Sequence, residues 1–200
     1  MLTTTQNIID KFEEYIGDAT AMSSVQTLEL ADKIYHEILE MHEWEFLKKE
    51  SSGSVNGTSI TKPSDFARFT NPPIIYVGDN GNNPYKVIPY TERRLYTNQN
   101  NFAYYDARQG TINFFRTVNN TYSFDYIYLP TSLDLSTNNP VWPARFNYAI
   151  VHMMCLDSDI MELSEKARSY APENMAKAEK IINDMRYWSD SLSSYLSYGN

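Results

Sequence analysis

Of the residues able to do chemistry, His152-x-x-Cys155 has the most suggestive spacing, since on a helix it sets two soft ligands on adjacent turns. Two ligands do not make a zinc site. Ile150, Met153 and Met154 surround the pair, which favours the plainer reading of a packed helix with a satisfied core histidine and a small buried thiol. The other histidines, His36 and His42, have no Ser or Cys motif attached to them. Asp65, Asp79, Glu92, Asp106, Asp125 and Asp134 could furnish a carboxylate pair for glycoside hydrolysis, but that mechanism is defined by a spatial separation. Turn and strand-edge solvation accounts for them more cheaply. There is no Gly-x-Gly-x-x-Gly, Walker loop or His-Glu-x-x-His, and only 7 Gly to build phosphate-cradling turns, so no nucleotide, cofactor or metal is expected. Arg93-Arg94 follows the Pro89 break and could grip a carboxylate on a neighbouring subunit in bidentate fashion, or close a local salt bridge to Glu92.

The 200 residues suffice for one domain, or one domain with a lobe, held by a core without staples. A formal charge of −8 argues against a broad phosphate-neutralising face. The 16 Tyr suit surfaces that become buried when a partner arrives. Cys155 is alone, so a reducing compartment fits, and no membrane is implied because the sequence has neither a signal-like start nor a long apolar run.

The elements that must position these residues fall into three blocks. Residues 1–50 read as two amphipathic helices. The first opens on a possible Thr3/Gln6 capping box, carries Ile8, Ile9, Phe12, Tyr15 and Ile16, and closes at Gly17. The second opens on Ser23/Gln26 and runs to about Glu43, with Val25, Leu28, Ala31, Ile34, Tyr35, Ile38, Leu39 and Met41 as its apolar face. Residues 51–139 read as a lobe of short antiparallel strands. A hairpin turns at Asn56-Gly57, and further strands lie at Ile74–Val77, 85–88, Phe102–Asp106, 111–115 and 122–129, the last two separated by a turn at Asn119-Asn120. Tyr122, Phe124, Tyr126 and Tyr128 alternate onto one face of the last strand, half core and half surface. Residues 140–200 return to helix. One helix carries Phe146 through Met161; another opens at Pro172 with Met175, Ala178, Ile181, Ile182, Met185 and Trp188 as its stripe. Trp142 marks the re-entry, as an exposed anchor or, preferably, as a wedge where lobe meets bundle. Residues 189–200, Ser- and Tyr-rich, read as a tail that is frayed or ordered by a partner. The fold expected is α+β: a discontinuous bundle of about four helices with an inserted antiparallel β lobe.

Six phrases carry a resemblance. They are Trp44-Glu45-Phe46-Leu47-Lys48-Lys49, Lys62-Pro63-Ser64-Asp65-Phe66, Tyr85-Lys86-Val87-Ile88-Pro89-Tyr90, Phe124-Asp125-Tyr126-Ile127-Tyr128-Leu129-Pro130, Val141-Trp142-Pro143-Ala144-Arg145-Phe146 and Glu165-Lys166-Ala167-Arg168-Ser169-Tyr170-Ala171. With the helix, lobe, helix order, they make the chain similar over nearly its whole length to the head-to-tail adaptor proteins of tailed bacteriophages, the short-tailed or crAss-like ones especially. The resemblance implies a structural virion protein with no enzyme activity, and the lack of a signal-like or long apolar segment adds the expectation that it is made in the host cytoplasm. It further implies a homo-oligomeric ring, commonly of twelve copies, bound to the portal protein on one side and to tail or further ring proteins on the other. DNA passes through such a ring without being specifically bound. The family offers no active-site motif to carry over, so the candidate interface residues rest on chemistry alone: Arg93, Arg94, Tyr195, Leu196 and Tyr198. The rival reading is a carbohydrate-binding or host-recognition module using the Tyr- and Asn-rich lobe; a hydrolase built on the loop carboxylates is a third.

Overall fold

The computed structural model describes residues 2–17, 22–78 and 83–196, with side chains up to residue 193. Helices and a β lobe are both present, so the fold is α+β. The chain divides into a helical unit, Met1–Phe46 with Pro130–Asn200, and a β unit, Leu47–Leu129. No described helix is long and apolar enough to cross a membrane.

In the helical unit, helix α1 (Thr5–Ile16) starts one residue later than the Thr3/Gln6 pattern suggests. The Thr4 hydroxyl accepts the Asn7 amide at 3.2 Å, and the left-handed Gly17 (φ 75°) closes the helix by donating to the Glu13 carbonyl. Ile8, Ile9, Phe12 and Ile16 are its buried face. Helix α2 (Ser24–Glu40) has the expected capping box, with Ser23 and Gln26 exchanging bonds between side chain and backbone. Its ends differ from expectation. It stops at Glu40, and Val25 and Met41, assigned to the apolar face by spacing, stand 64% and 43% exposed.

The helix expected from Phe146 through Met161 is broken. A 3-10 turn (Ala144–Phe146) precedes α3 (Tyr148–Met154), α4 (Ser158–Leu163) and α5 (Glu165–Ser169). Asp157 and Ser164 cause two of the breaks, since each turns its side-chain oxygen onto an amide of the following turn and becomes an N-cap. Ser164 also donates to the Ile16 carbonyl at 3.0 Å, tying α5 to the end of α1.

Helix α6 (Ala171–Leu196) runs straight through the position where a tail was expected. Its buried line is Asn174, Ala178, Ile182, Met185 and Ser189, while Met175, placed in the stripe by sequence, is exposed. The Ser189 hydroxyl accepts the Glu45 amide at 2.7 Å. Around it lies an aromatic core in which Trp44 stacks on Phe46, Phe46 on Trp188, and Trp142 packs against Tyr35. Trp142 is buried, which rules out the exposed anchor. Its indole donates to Asn147 Oδ1 at 2.8 Å, and Asn147 Nδ2 donates to the Leu2 carbonyl.

The β unit is built on one strand. β6 (Thr111–Tyr128) pairs along one edge with β1 (Lys48–Thr61). Its other edge takes β5 (Phe102–Asp106), β3 (Ile74–Val77) and β2 (Phe66–Phe69) in turn. β4 (Asn83–Pro89) lies between β3 and β5. The antiparallel expectation holds for every pairing but one, because β4 and β5 run parallel. Two expected turns are not turns. Asn56-Gly57 and Asn119-Asn120 lie inside β1 and β6, where Asn56 pairs with Asn119 and Val55 with Asn120, and only a bulge between Gly57 and Ser59 marks the site. Of the Tyr122 to Tyr128 stripe, Phe124 and Tyr126 lie in the core with Phe66, Ile75, Ile112 and Phe114, while Tyr122 and Tyr128 are half-buried against it.

Candidate interaction surfaces

The residues that suggested catalysis are structural. His152 is buried on α3, where its Nδ1 lies 3.0 Å from Asn174 Oδ1 and its ring meets Tyr15 edge-on and Tyr148 at a tilt. Burial holds its pKa below 6.5, so the ring is neutral at pH 7. Burial also pushes the Cys155 thiol up to about 12, which removes the thiolate that a nucleophile needs at neutral pH. Among the described residues no group of three or more His, Cys, Asp or Glu gathers in a way that could hold a metal ion.

Three of the candidate carboxylates, Asp65, Asp106 and Asp134, close turns or pair locally. Asp65 accepts Lys49 Nζ at 2.7 Å and the Tyr126 hydroxyl at 2.9 Å; the lysine bond chiefly holds its carboxyl below the usual range, while desolvation lifts Tyr126 to about 12. Asp106 caps the turn into β6 through the amides of Arg108 and Gln109. Asp134 accepts from the Thr137 hydroxyl and the amides of Ser136, Thr137 and Asn138, which keeps it ionised far into acid. Asp79 lies outside the described residues.

Arg93 and Arg94 sit on a 3-10 helix (Tyr90–Leu95) that follows β4. Pro89 caps its start, since the ring fixes φ and lacks the amide that a further strand residue would use. The Arg93 guanidinium lies 3.6 Å from the Tyr90 ring centroid and donates to the Tyr90 carbonyl at 2.9 Å, so the residue that orients it locally is Tyr90. Arg94 is exposed, and Leu95 beside it is 76% exposed. Together they edge an aromatic layer that the sequence reading missed. Tyr90 meets Tyr104, Tyr104 meets Phe115, and Tyr96 stacks on Phe102 at 4.4 Å. The signal was present in the alternation of β5, where Ala103 and Tyr105 point to the core and Phe102 and Tyr104 to the opposite face.

The helical unit has its own outward features. The outer side of α2 presents Glu29, Glu37 and Glu40 between Val25 and Met41. A cleft of about 270 Å³ between α1, α5 and the start of α6 is lined by lysines already engaged, Lys11 with Glu14, Lys177 with Glu173 and Lys166 with the Glu14 carbonyl. Tyr195 and Leu196 belong to the last turn of α6, but their side chains, like all of Tyr198, lie outside the described residues. The two units differ sharply in charge. The β unit carries 9 Lys and Arg against 6 Asp and Glu, a formal +3, and the remainder 8 against 19, a formal −11.

A comparison with curated proteins gives no match. The family model for the SU10 adaptor protein matches residues 3–196, both flanking helical blocks and the β lobe between them. With a match over nearly its whole length, the chain belongs to the SU10 adaptor protein family, in keeping with its resemblance to phage head-to-tail adaptors.

Proposed function

We propose that this chain forms a homo-oligomeric ring beneath the portal of a phage virion, about twelve copies in the related assemblies it resembles, and couples the portal to tail or further ring proteins while DNA passes through the lumen. The family match over residues 3–196 is the observation that carries this reading. Charge supports it: a helical unit at −11 repels phosphate at short range, so it can border a DNA path without gripping it. The role is mechanical rather than catalytic, and its place is the virion after synthesis in the host cytoplasm. The sugar-binding reading rested on the Tyr, Asn and Asp crowding the lobe, and of these Tyr126 is packed in the lobe's core, with Tyr122 and Tyr128 half-buried against it.

The portal contact is assigned to the end of α6, with Tyr195, Leu196 and Tyr198 as anchors. A truncation must respect Ser189, which is buried and bonded to Glu45. A chain ending after Ser193 should keep its fold and its ring contacts and fail to add to portal rings. Electron micrographs of full-length and shortened chains mixed with the portal protein of the same virion provide the test. Normal addition of the shortened chain would remove the anchor assignment, and absence of any ring with the full-length chain would remove the adaptor reading itself.

A further inference from the structure

The aromatic layer on the outside of the β unit ends in a small, well-defined tip. Arg93 is pre-organised by its stacking on Tyr90, and a guanidinium held this way still has N–H donors to offer beyond the one used on the Tyr90 carbonyl. Arg94 and Leu95 follow it outward on a 3-10 helix that also carries exposed Glu92, so two cations, one carboxylate and one apolar side chain share the tip, with a local surplus of positive charge. Such a tip needs an acidic partner with an apolar spot beside it. The outer side of α2 has that composition: Glu37 and Glu40 lie one turn apart, and Met41 next to them is 43% exposed.

We propose that the tip docks on this part of α2 in a second copy of the chain, Arg93 and Arg94 meeting Glu37 and Glu40 while Leu95 lies against Met41. The proposal rests on the ring reading above and names the faces through which neighbouring subunits meet. Two different faces of one subunit meeting in this way form a heterologous contact, which closes into a ring when the rotation between copies allows. The opposite signs of the units, +3 and −11, favour this pairing once the two faces are within a Debye length and disfavour the meeting of two helical units. Double-stranded DNA is the poorer occupant. The β unit has a surplus of only three positive charges, and the rest of the same chain would repel the phosphates.

The test is charge reversal in the full chain, read by sedimentation velocity alone and with the portal protein present. All four positions are on solvent-facing or half-buried side chains, and circular dichroism checks that the variants fold. R93E/R94E and E37R/E40R should each weaken self-association roughly tenfold or more, and the two combined should restore much of the loss. If the parent chain assembles and R93E/R94E assembles equally well, this interface is wrong while the ring reading stands. If no rescue accompanies the combined variant, the pairing of these two faces is wrong. If R93E/R94E changes binding to duplex DNA and leaves self-association untouched, the tip serves nucleic acid and the proposal falls. If the parent chain assembles under neither condition, the ring reading fails and takes the interface with it.

Discussion

Trp44 and Phe124 are both fully enclosed aromatic side chains, yet the frameworks around them are built in different ways. Trp44 sits among helices whose backbone bonds close over four residues, so the helical unit can break α3, α4 and α5 at Asp157 and Ser164 and still bury its stripe. Phe124 sits on β6, whose backbone bonds reach residues as distant as Lys48 and Ser51. Local order is cheap in the first unit and borrowed from far along the chain in the second. Damage to a helix should therefore stay close to its site, whereas damage to β6 should spread.

Truncating either aromatic gives the largest effect. Phe124→Ala and Trp44→Ala should each cost about 3–5 kcal/mol, the usual range for emptying a large aromatic site. Hydrogen exchange separates them: protection should fall across β1 to β6 in the first variant, and mainly in α2 and α6 in the second. Equal spread in both would break the comparison. Asn147→Leu comes next, at about 2 kcal/mol, because it leaves the Trp142 indole and the Leu2 carbonyl without their bonds. Urea unfolding measures it, and a neutral result would show that those groups find other partners.

Ser23→Ala and Gly57→Ala should each cost about 1 kcal/mol for opposite reasons, the first through a lost cap and the second through a side chain forced to φ 146° in otherwise open space. The smallest effect is a pH dependence between pH 7.5 and 5.5. His152 binds a proton less readily when folded than when unfolded, so unfolding takes up a proton and the helical unit loses stability as pH falls below about 6.5. Asn174, Tyr15, Tyr148, Glu173 and Lys177 are the groups that bear on this ring. His152→Gln should flatten that slope. The β unit should ignore this window. The depressed Asp65 stabilises it above about pH 3.8, and that contribution is lost only as pH falls further, through the folded value.

What could be read from the sequence follows the same division. The caps at Ser23 and Gly17, and the buried faces of α1 and of α2 apart from its two ends, are encoded within a few residues of where they act, so spacing alone placed them. Strands β3 and β5 also fell where alternation set them. Asn56-Gly57 and Asn119-Asn120 failed because each has the chemistry of a turn, and the reason that neither turns is the other: they are opposite one another in the β1/β6 ladder. No local rule sees a partner some sixty positions away. Asp157 and Ser164 were missed because a polar residue in a helical stripe looks like a solvated position until its side chain is seen bonding the next turn. At the candidate interface, Arg93 and Arg94 were legible as a pair of cations after a proline. The aromatic layer behind them was not, since Tyr90, Tyr104 and Phe115 come together only through β4, β5 and β6.

The sharing of β6 by β1, β2, β3 and β5 has a mechanical meaning. A hairpin at the rim of a sheet can be peeled open one rung at a time from its loose end. A strand paired along most of one flank and in three stretches of the other must slide against several neighbours at once, so a pull directed along it is resisted by many rungs in parallel. A lobe wired in this manner is stiff along that one axis.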